Sequence, residues 1–269
     1  MFELAEVSLG NARRLYGYKQ SCPLEIEFNI KGFDYAWLIY NHAWKPGEKV
    51  LDVGGAYSNL PIFIQKTYGC ETWVVDDFGI DVNDPFWARH KSPQEHIACH
   101  PEVRYVLERV GDPKNSSLPA GYFDVVYSAS VLEHVPAGLT RQVWQHMGAL
   151  VKPGGELLHA VDVPFPSNNG HRKFFEVLSF EIFNKALPDS FREAHFLSTP
   201  RNYARLASQA LRIRSLPKND VGIMRMLMDP EVVTEPLEYG YNRIVKDHML
   251  DFHFQRVGTL LLRFRKAGP

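Results

Sequence analysis

Cysteine is scarce in this sequence, and its three cysteines, Cys22, Cys70 and Cys99, are odd in number and far apart. Such a set does not fit a disulfide framework, and it lacks the clustered triad of a radical iron–sulfur enzyme. His96 and His100 flank Cys99 like half of a zinc site, but no second half completes four ligands, so no metal is expected. A reducing, cytoplasmic compartment is the simplest expectation.

An excess of charge and a long apolar segment are also missing. The 30 Lys and Arg are balanced by 31 Asp and Glu, for a formal net charge of −1. Nothing global attracts a polyanion, so nucleic acid is not an expected partner. No apolar run approaches the roughly 18 residues that span a bilayer, and the first residues lack the basic-then-apolar order of a signal peptide. The sequence predicts a soluble protein with no membrane partner.

The sequence does contain a strand that runs directly into two glycines. Residues 50–53 (Val-Leu-Asp-Val) suit a short buried strand of a parallel sheet, and Gly54 and Gly55 follow it. Ser58 is a favourable N-cap and Pro61 is tolerated in a first helical turn. Open α/β sheets bind ligands at such a turn, because glycine lets a ligand approach the backbone and the helix start offers free N–H groups.

The residues of this turn favour one cofactor class over another. A dinucleotide fingerprint starting at Gly54 needs glycine at positions 56 and 59, where Ala56 and Asn59 stand. The carboxylate of Asp52 would repel a pyrophosphate but favour a ligand with an ammonium and a sulfonium, as in S-adenosylmethionine. The stretch resembles the first motif of class I S-adenosylmethionine-dependent methyltransferases. Asp52 and Gly54 match that motif, whereas Ala56 and Ser58 replace its later glycines.

The resemblance implies further cofactor carboxylates after the next two strands. Asp76 and Asp77 end a predicted strand that starts at Thr72, where family members hold the ribose hydroxyls. Asp76 fits better, with Asp77 close behind, and capping of the next segment is the alternative for both. Gly111 and Asp112 follow a predicted strand at the place where the family contacts adenine. A plain turn is the alternative there.

A fourth-strand motif adds the most specific resemblance. Phe123-Asp-Val-Val126 enters a strand that has Ser128 at its tip, and Glu133 and His134 then begin a helix near the methionine end of the cofactor. This pattern is similar to the small-molecule branch of the class, the methyltransferase type 11-like enzymes. A Lys-Pro-Gly-Gly turn at residues 152–155 before a fifth strand is also typical of the family. The resemblance covers about residues 45–185.

Three residues are candidates for a catalytic base. His134 comes first, because an imidazole titrates near neutrality and the motif puts it near the methyl donor. Packing or helix capping is the alternative for His134. Asp162, at the end of the fifth strand, and His171 are the second choices. Together with His159 they leave a metal site as a minor alternative.

The predicted fold is α/β, a Rossmann-like, doubly wound and mostly parallel seven-stranded sheet with N-terminal and C-terminal cap segments. Residues 210–215 and 258–265 are the expected sixth and seventh strands. The Met- and aromatic-rich stretch of about 221–256 is expected to be a cap insertion, with extra core or a homodimer face as the alternative. The expected divisions are an N-terminal helical or cap segment at 1–44, the cofactor-binding core at 45–187, and a C-terminal part at 188–269 that completes the sheet.

The expected function is methyl transfer from S-adenosyl-L-methionine to a small-molecule acceptor. A sugar or a natural-product-like metabolite is favoured, with O-methylation ahead of other chemistries. One alternative is an RNA or other nucleic-acid methyltransferase, although the sequence has no Asn-Pro-Pro-Tyr-type motif and no appended basic domain. The other alternative is an inactive scaffold subunit with the same fold. The presence of Asp52, Asp76 and Asp112 counts against it.

Overall fold

The strand that precedes the two glycines lies inside a mixed sheet in the computed structural model of the chain. The structure describes residues 2–9, 18, 21–24, 29–79, 92–114, 116–135, 139–166, 234–236 and 254–268. The strands are β1 (Phe2–Leu9), β2 (Lys49–Val53), β3 (Glu71–Val75), β4 (Arg104–Val106), β5 (Phe123–Ala129), β6 (Val151–Pro166), β7 (Thr234–Pro236) and β8 (Phe254–Lys266). The helices are α1 (Asn29–Tyr40), α2 (Leu60–Tyr68), α3 (Pro93–Cys99) and α4 (Thr140–Leu150), with a 3₁₀ turn at Leu132–His134.

The strands lie in the order β1-β8-β6-β5-β2-β3-β4, and β7 pairs with β8 off this path. Neighbours from β6 to β4 are parallel, whereas β8 is antiparallel to β6, β1 and β7. The sheet is therefore mixed and mostly built from parallel neighbours at its centre, and the fold is α/β, as predicted. The described strands number eight where seven are predicted, and the predicted strand at 210–215 lies outside the described residues.

The free side of β8 is covered by two strands that the sequence does not predict. β1 pairs with it from Phe2 opposite Lys266 to Leu9 opposite Leu260. β7 continues along the same side, with Thr234 opposite Gly258. β1 falls in the segment predicted as helical or cap, and β7 falls in the predicted cap insertion. At these residues the cap predictions are wrong, because the backbone hydrogen-bonds into the sheet.

Helices cover both faces of the sheet. On one face α1 and α2 bury Trp37, Leu38 and Leu60 against Tyr127 and other residues of the central strands. On the opposite face α4 buries apolar side chains, with Trp144, Met147 and Leu150 among them, against strands that include β6 and β8. Successive residues of a strand point to opposite faces, so neighbours in one strand belong to different clusters. This alternation decides which side chains can meet at the site.

The helices begin and end at residues that are common at helix termini. Pro61 lies in the first turn of α2, as predicted, and Gly69 ends that helix in the left-handed conformation with φ 69°. Asn59, not Ser58, is the N-cap residue of α2. In α3, Ser92 and Glu95 form a capping box. Among the described residues, no helix is long and apolar enough to cross a membrane.

A buried ion network joins β6 and β8 to the loop after α1. Glu156 is 7% exposed, and its carboxylate accepts from Arg263 Nη2 at 2.7 Å and from Arg265 Nε at 2.8 Å. The His42 ring bridges Glu156 and Glu48, with 3.1 Å to each carboxylate. Burial raises the pKa of Glu156, but the hydrogen bonds from His42, Arg263 and Arg265 outweigh it and bring the pKa to about 2. The carboxylate therefore stays ionised inside the network.

Candidate active site

The turn after β2 is closed on both sides by neighbouring side chains. Gly54 has φ 74°, and its N–H donates to the carbonyl of Val75 at 2.8 Å. A Cβ on Gly54 would lie 2.7 Å from a methyl of Val131, and a Cβ on Gly55 would lie 2.6 Å from Asp52 Oδ2. Both contacts are closer than real Cβ atoms approach, so only glycine fits at either position. The turn is thereby held between the carboxylate of β2 and the loop after β5.

Asp52 lies beneath this turn rather than open to solvent, with 3% exposure. It stands beside Tyr127 in the sheet register, on the face covered by α1. Burial raises the pKa of Asp52 to about 8; the Tyr127 hydroxyl lowers it, the Asp76 charge raises it and the Lys31 charge lowers it. The buried Tyr127 hydroxyl has no hydrogen-bond partner of full geometry among the described residues. A cation placed here would stabilise the ionised carboxylate.

Asp76 joins the end of β3 to the same turn. Its Oδ2 accepts from the N–H of Ala56 at 3.2 Å, and its Oδ1 accepts from the N–H of Phe78 at 2.6 Å. Burial raises the pKa of Asp76, with a further increase from the Asp77 charge, and the two backbone N–H groups act against this. The carboxylates of Asp52 and Asp76 are therefore on either side of one glycine turn, as the order of motifs predicts.

Asp77 has a different environment from its neighbour. Its carboxylate pairs with Arg109, and its Oδ1 accepts from the N–H of Gly79 at 3.1 Å. About a third of the side chain is exposed, at 34%. Asp77 thus caps its own loop, the alternative that the sequence left open for both residues. Asp76 also accepts from the N–H two residues ahead, that of Phe78, but its other oxygen contacts the glycine turn. The geometry favours Asp76 as the ribose-binding candidate.

Gly111 and Asp112 lie in a turn packed against α4. The Gly111 N–H donates to His146 Nδ1 at 3.0 Å, and Gly111 has φ 136°. Asp112 is exposed, and its Oδ1 accepts from the N–H of Lys114 at 3.1 Å. A side chain that accepts from the N–H two residues ahead forms a plain turn, which is the alternative that a Gly-Asp-Pro sequence favours. Contact of Asp112 with adenine stays a prediction.

The side chain of Ser128 points away from the face of the sheet that holds Asp52. Its side chain is completely buried, and its Oγ lies 2.7 Å from His159 Nδ1. Tyr127 faces Asp52 and α1, so its neighbour Ser128 faces the other way, toward the cluster of α4. The His159 ring there packs edge-on against Trp144, at 5.1 Å between ring centroids. Burial lowers the pKa of His159 to about 3, so the pair of Ser128 and His159 is neutral and belongs to the core. A cofactor role for Ser128 stays a prediction.

Of the candidate bases, His134 lies after β5, a neighbour of β2, whereas Asp162 lies in β6, the next strand beyond β5. His171 lies outside the described residues. His134 ends the 3₁₀ turn after β5, and its N–H donates to the carbonyl of Val131, the residue that packs on Gly54. Asp162 lies in β6 opposite Thr259 of β8, and its side chain lies outside what the structure describes. Their roles as bases stay predictions. His134 is joined to the glycine turn through Val131.

Helix α1 adds polar residues that the sequence reading missed. The hydroxyl of Ser58 donates to Tyr35 Oη at 3.1 Å, which joins α1 to the glycine loop. Lys31 donates to the carbonyl of Ala129 at 3.4 Å, at the end of β5. Lys31, Asp34 and Tyr35 fall at the i, i+3, i+4 spacing of one helix face, which is the signal that the sequence offered.

Aromatic rings border the site on the side of α3. Tyr57 lies edge-on to Phe78 at 5.3 Å and to His96 at 5.1 Å between ring centroids. The Tyr105 hydroxyl lies 3.2 Å from His96 Nε2. His96 is therefore part of an aromatic cluster beside Tyr57. Within the described segments, no group of three metal-binding side chains is present.

A family model for a methyltransferase domain matches residues 32–213, well over half of the chain. The chain belongs to this methyltransferase family. The match confirms the class I S-adenosylmethionine-dependent family that the motifs predict, with S-adenosylmethionine as the cofactor of the family. It begins before the predicted 45–187 core and takes in most of α1, the helix that contributes Asp34 and Tyr35.

Solved structures show more distant likenesses. A phosphoethanolamine N-methyltransferase 2 of Haemonchus contortus, in complex with S-adenosyl-L-methionine, is 16% identical over 97% of this chain and 54% of that one, with a TM-score of 0.42. The geranyl diphosphate C-methyltransferase of Streptomyces coelicolor is 11% identical over 97% and 90%, with a TM-score of 0.43. The YcgJ protein of Bacillus subtilis is 9% identical over 88% and 99%, with a TM-score of 0.45. The chain spans about half the length of the first structure. No curated protein matches it.

Proposed function

We propose that this chain transfers a methyl group from S-adenosylmethionine to a small-molecule acceptor. The observation that carries the proposal is the glycine turn with a buried carboxylate on either side. Asp52 lies under Gly55, and Asp76 holds the N–H of Ala56. The cationic amino-acid end of S-adenosylmethionine matches the deeply buried carboxylate of Asp52, and its neutral ribose matches the partly open carboxylate of Asp76.

The cofactor residues are those that surround the turn. Gly54 and Gly55 shape the turn, since Val131 and Asp52 take the space that a Cβ at these positions would need. Asp76 accepts from the ribose hydroxyls, with Asp77 as the second candidate. Asp52 offsets the positive charge of the methionine end from beneath. Gly111 and Asp112 complete the set on the adenine side.

The acceptor side is formed by the loop after β5. The cofactor supplies an electrophilic methyl group on a sulfonium. The work left to the protein is to align the acceptor atom in line with the breaking carbon–sulfur bond and to keep water out. His134 would take the proton that the acceptor loses as the new bond forms, with Asp162 as the second choice. Loss of the methyl group would turn the sulfonium into a neutral thioether, so charge would balance.

A compact, partly apolar metabolite is the favoured acceptor. The near-zero net charge provides no general attraction for a polyanion, and the C-terminal part of the sequence is rich in Met and aromatic residues. A sugar or natural-product-like hydroxyl fits these features best. O-methylation is therefore placed ahead of N- or C-methylation.

The substrate proposal is tested by incubating the protein with S-adenosylmethionine and a panel of hydroxylated sugars and aromatic metabolites. Mass spectrometry should detect the addition of one methyl group to a small molecule. Salt-sensitive binding to RNA, with methyl groups on the RNA, would instead favour a nucleic-acid enzyme. A protein that does not bind S-adenosylmethionine would be a scaffold with the same fold.

The base is tested with His134→Gln, on an acceptor that the panel identifies. Turnover should fall by about 10²–10⁴-fold, the usual contribution of a general base, with cofactor affinity nearly unchanged. His100→Gln, on the loop after α3, is the matched control and should keep its turnover. If His134→Gln turns over like the wild type, the proton goes elsewhere, and Asp162→Asn is then the decisive variant.

A further inference from the structure

A completely buried carboxylate ties α1 to two separate strands at the edge of the site. Asp34 is 0% exposed, and its Oδ1 accepts from the hydroxyl of Thr259 in β8 at 2.6 Å. Its Oδ2 accepts from the hydroxyl of Ser130 at 3.3 Å, directly after β5. Lys31 Nζ, one helical turn earlier, lies 3.9 Å from the same oxygen. Such a carboxylate is tolerated inside a protein only because polar partners surround it.

Ser130, which this carboxylate holds, starts the loop that covers the glycine turn. It has φ 52°, a left-handed conformation that is uncommon for a residue with a side chain. Its N–H donates to the carbonyl of Ala160 in β6 at 2.8 Å. The next residue, Val131, fills the space beside Gly54, and His134 follows in the same 3₁₀ turn. The direction in which the chain leaves β5 therefore affects both the cofactor turn and the candidate base.

We propose that Asp34 is a positioning residue for methyl transfer: through Ser130 it fixes the exit of β5 against the glycine turn. The inference rests on the proposed cofactor site. Thr259 holds the carboxylate from β8, and Lys31 holds both Asp34 and the Ala129 carbonyl at the strand end. A loosened exit lowers the fraction of molecules with a formed site, and the apparent affinity falls by the same fraction.

Thr259→Val tests the hydrogen bond from Thr259 to Asp34, because it removes the hydroxyl while keeping the shape of the side chain. Binding of S-adenosylhomocysteine, measured by calorimetry well below the melting temperature, should weaken about tenfold, the scale for losing a hydrogen bond to a charged group. Thr259→Ser restores the hydroxyl and should restore the affinity. A role in stability alone would change the melting temperature of Thr259→Val and leave the affinity of the folded protein unchanged.

Thr72→Val is the matched control. Thr72 is 2% exposed in β3, and its hydroxyl has no hydrogen-bond partner in the part of the chain that the structure describes. This variant also replaces a buried Thr by Val, but it breaks no such contact. Its affinity for S-adenosylhomocysteine should equal that of the wild type.

Hydrogen exchange gives a second readout that needs no ligand. The amides of Ser130, His134 and Val135 are hydrogen-bonded in the β5 exit and should exchange faster in Thr259→Val than in Thr72→Val. Wild-type affinity in Thr259→Val, with or without a change in exchange, would overturn the inference. A wild-type protein that does not bind S-adenosylhomocysteine would overturn the proposed function instead, and the exchange comparison would still decide whether Asp34 holds the β5 exit.

Discussion

Among single residues, Asp52 couples the stability of the protein to pH. Its pKa in the folded protein, about 8, lies above its ordinary value of 3.8 because the side chain is buried. Between these values the folded protein keeps a proton that the unfolded chain releases. The contribution to stability is therefore complete below about pH 4 and is lost as pH rises toward 8.

Asp52→Asn should abolish this dependence. Relative to the variant, the free energy of unfolding of the wild type should fall with rising pH by up to ~1.4 kcal/mol per unit, the effect of one proton. Urea unfolding between about pH 5 and 7.5 measures it. Asp124→Asn is the control, because hydrogen bonds from Lys152 and the Lys49 N–H outweigh burial and lower the pKa of Asp124. A difference between wild type and Asp52→Asn that does not change with pH would mean that Asp52 is ionised throughout.

The order of motifs predicted which residues lie close together, but not the direction of each side chain. Asp52, Gly54 and Asp76 meet at one turn, as their order in the sequence implies. Ser128, a residue of the fourth-strand motif, has its side chain turned toward His159 by strand alternation. The direction of the Ser128 side chain follows from the register of β5 against β2, and that register cannot be predicted from the sequence alone.

At the level of elements, the Glu156 network fastens β8 to β6. The folded-state pKa of about 2 lies below the ordinary 4.5, because charged and polar partners outweigh burial. Its contribution is therefore present above about pH 4.5 and is lost as pH falls toward 2. The difference of about two and a half units between the two pKa values corresponds to roughly 3 kcal/mol in the free energy of unfolding.

Glu156→Gln should lower the free energy of unfolding at neutral pH by about that amount, and its deficit relative to the wild type should shrink in acid. The comparison is an acid titration of urea unfolding for the two proteins. Glu71→Gln is the control, since Glu71 is exposed and bonds the Tyr122 hydroxyl at 2.7 Å. It should lose less than about 1 kcal/mol. Equal losses in the two variants would show that the network adds nothing beyond a surface contact.

Central elements were easier to predict than edge elements. The strands β2, β3 and β5 agree with their apolar runs to within a residue or two, because strands buried on both faces are nearly continuous in apolar character. β1 was missed because its apolar residues move from even positions, Phe2 and Leu4, to odd ones, Val7 and Leu9. The ladder has an irregularity between Leu4 and Glu6, which is the structural counterpart of that shift.

Over the whole molecule, the sheet brings distant parts of the chain to one end. Thr259, near the C-terminal end of the sequence, donates to Asp34 across 225 positions. The end of β2, the end of β3 and the exit of β5 meet there because parallel neighbours end at the same edge. The acceptor contacts could not be predicted in the same way, because they belong to the parts of the chain that diverge most within a fold.

The most direct test of the cofactor site is a calorimetric titration of S-adenosylhomocysteine into the wild type, Asp76→Ala and Asp77→Ala. The wild type should bind, and Asp76→Ala should lose about 1–3 kcal/mol of binding free energy, the range for hydrogen bonds to a charged group. Asp77→Ala should bind nearly as well as the wild type, because Asp77 pairs with Arg109. Absence of binding by the wild type, or wild-type affinity in Asp76→Ala, would contradict a cofactor site at the glycine turn.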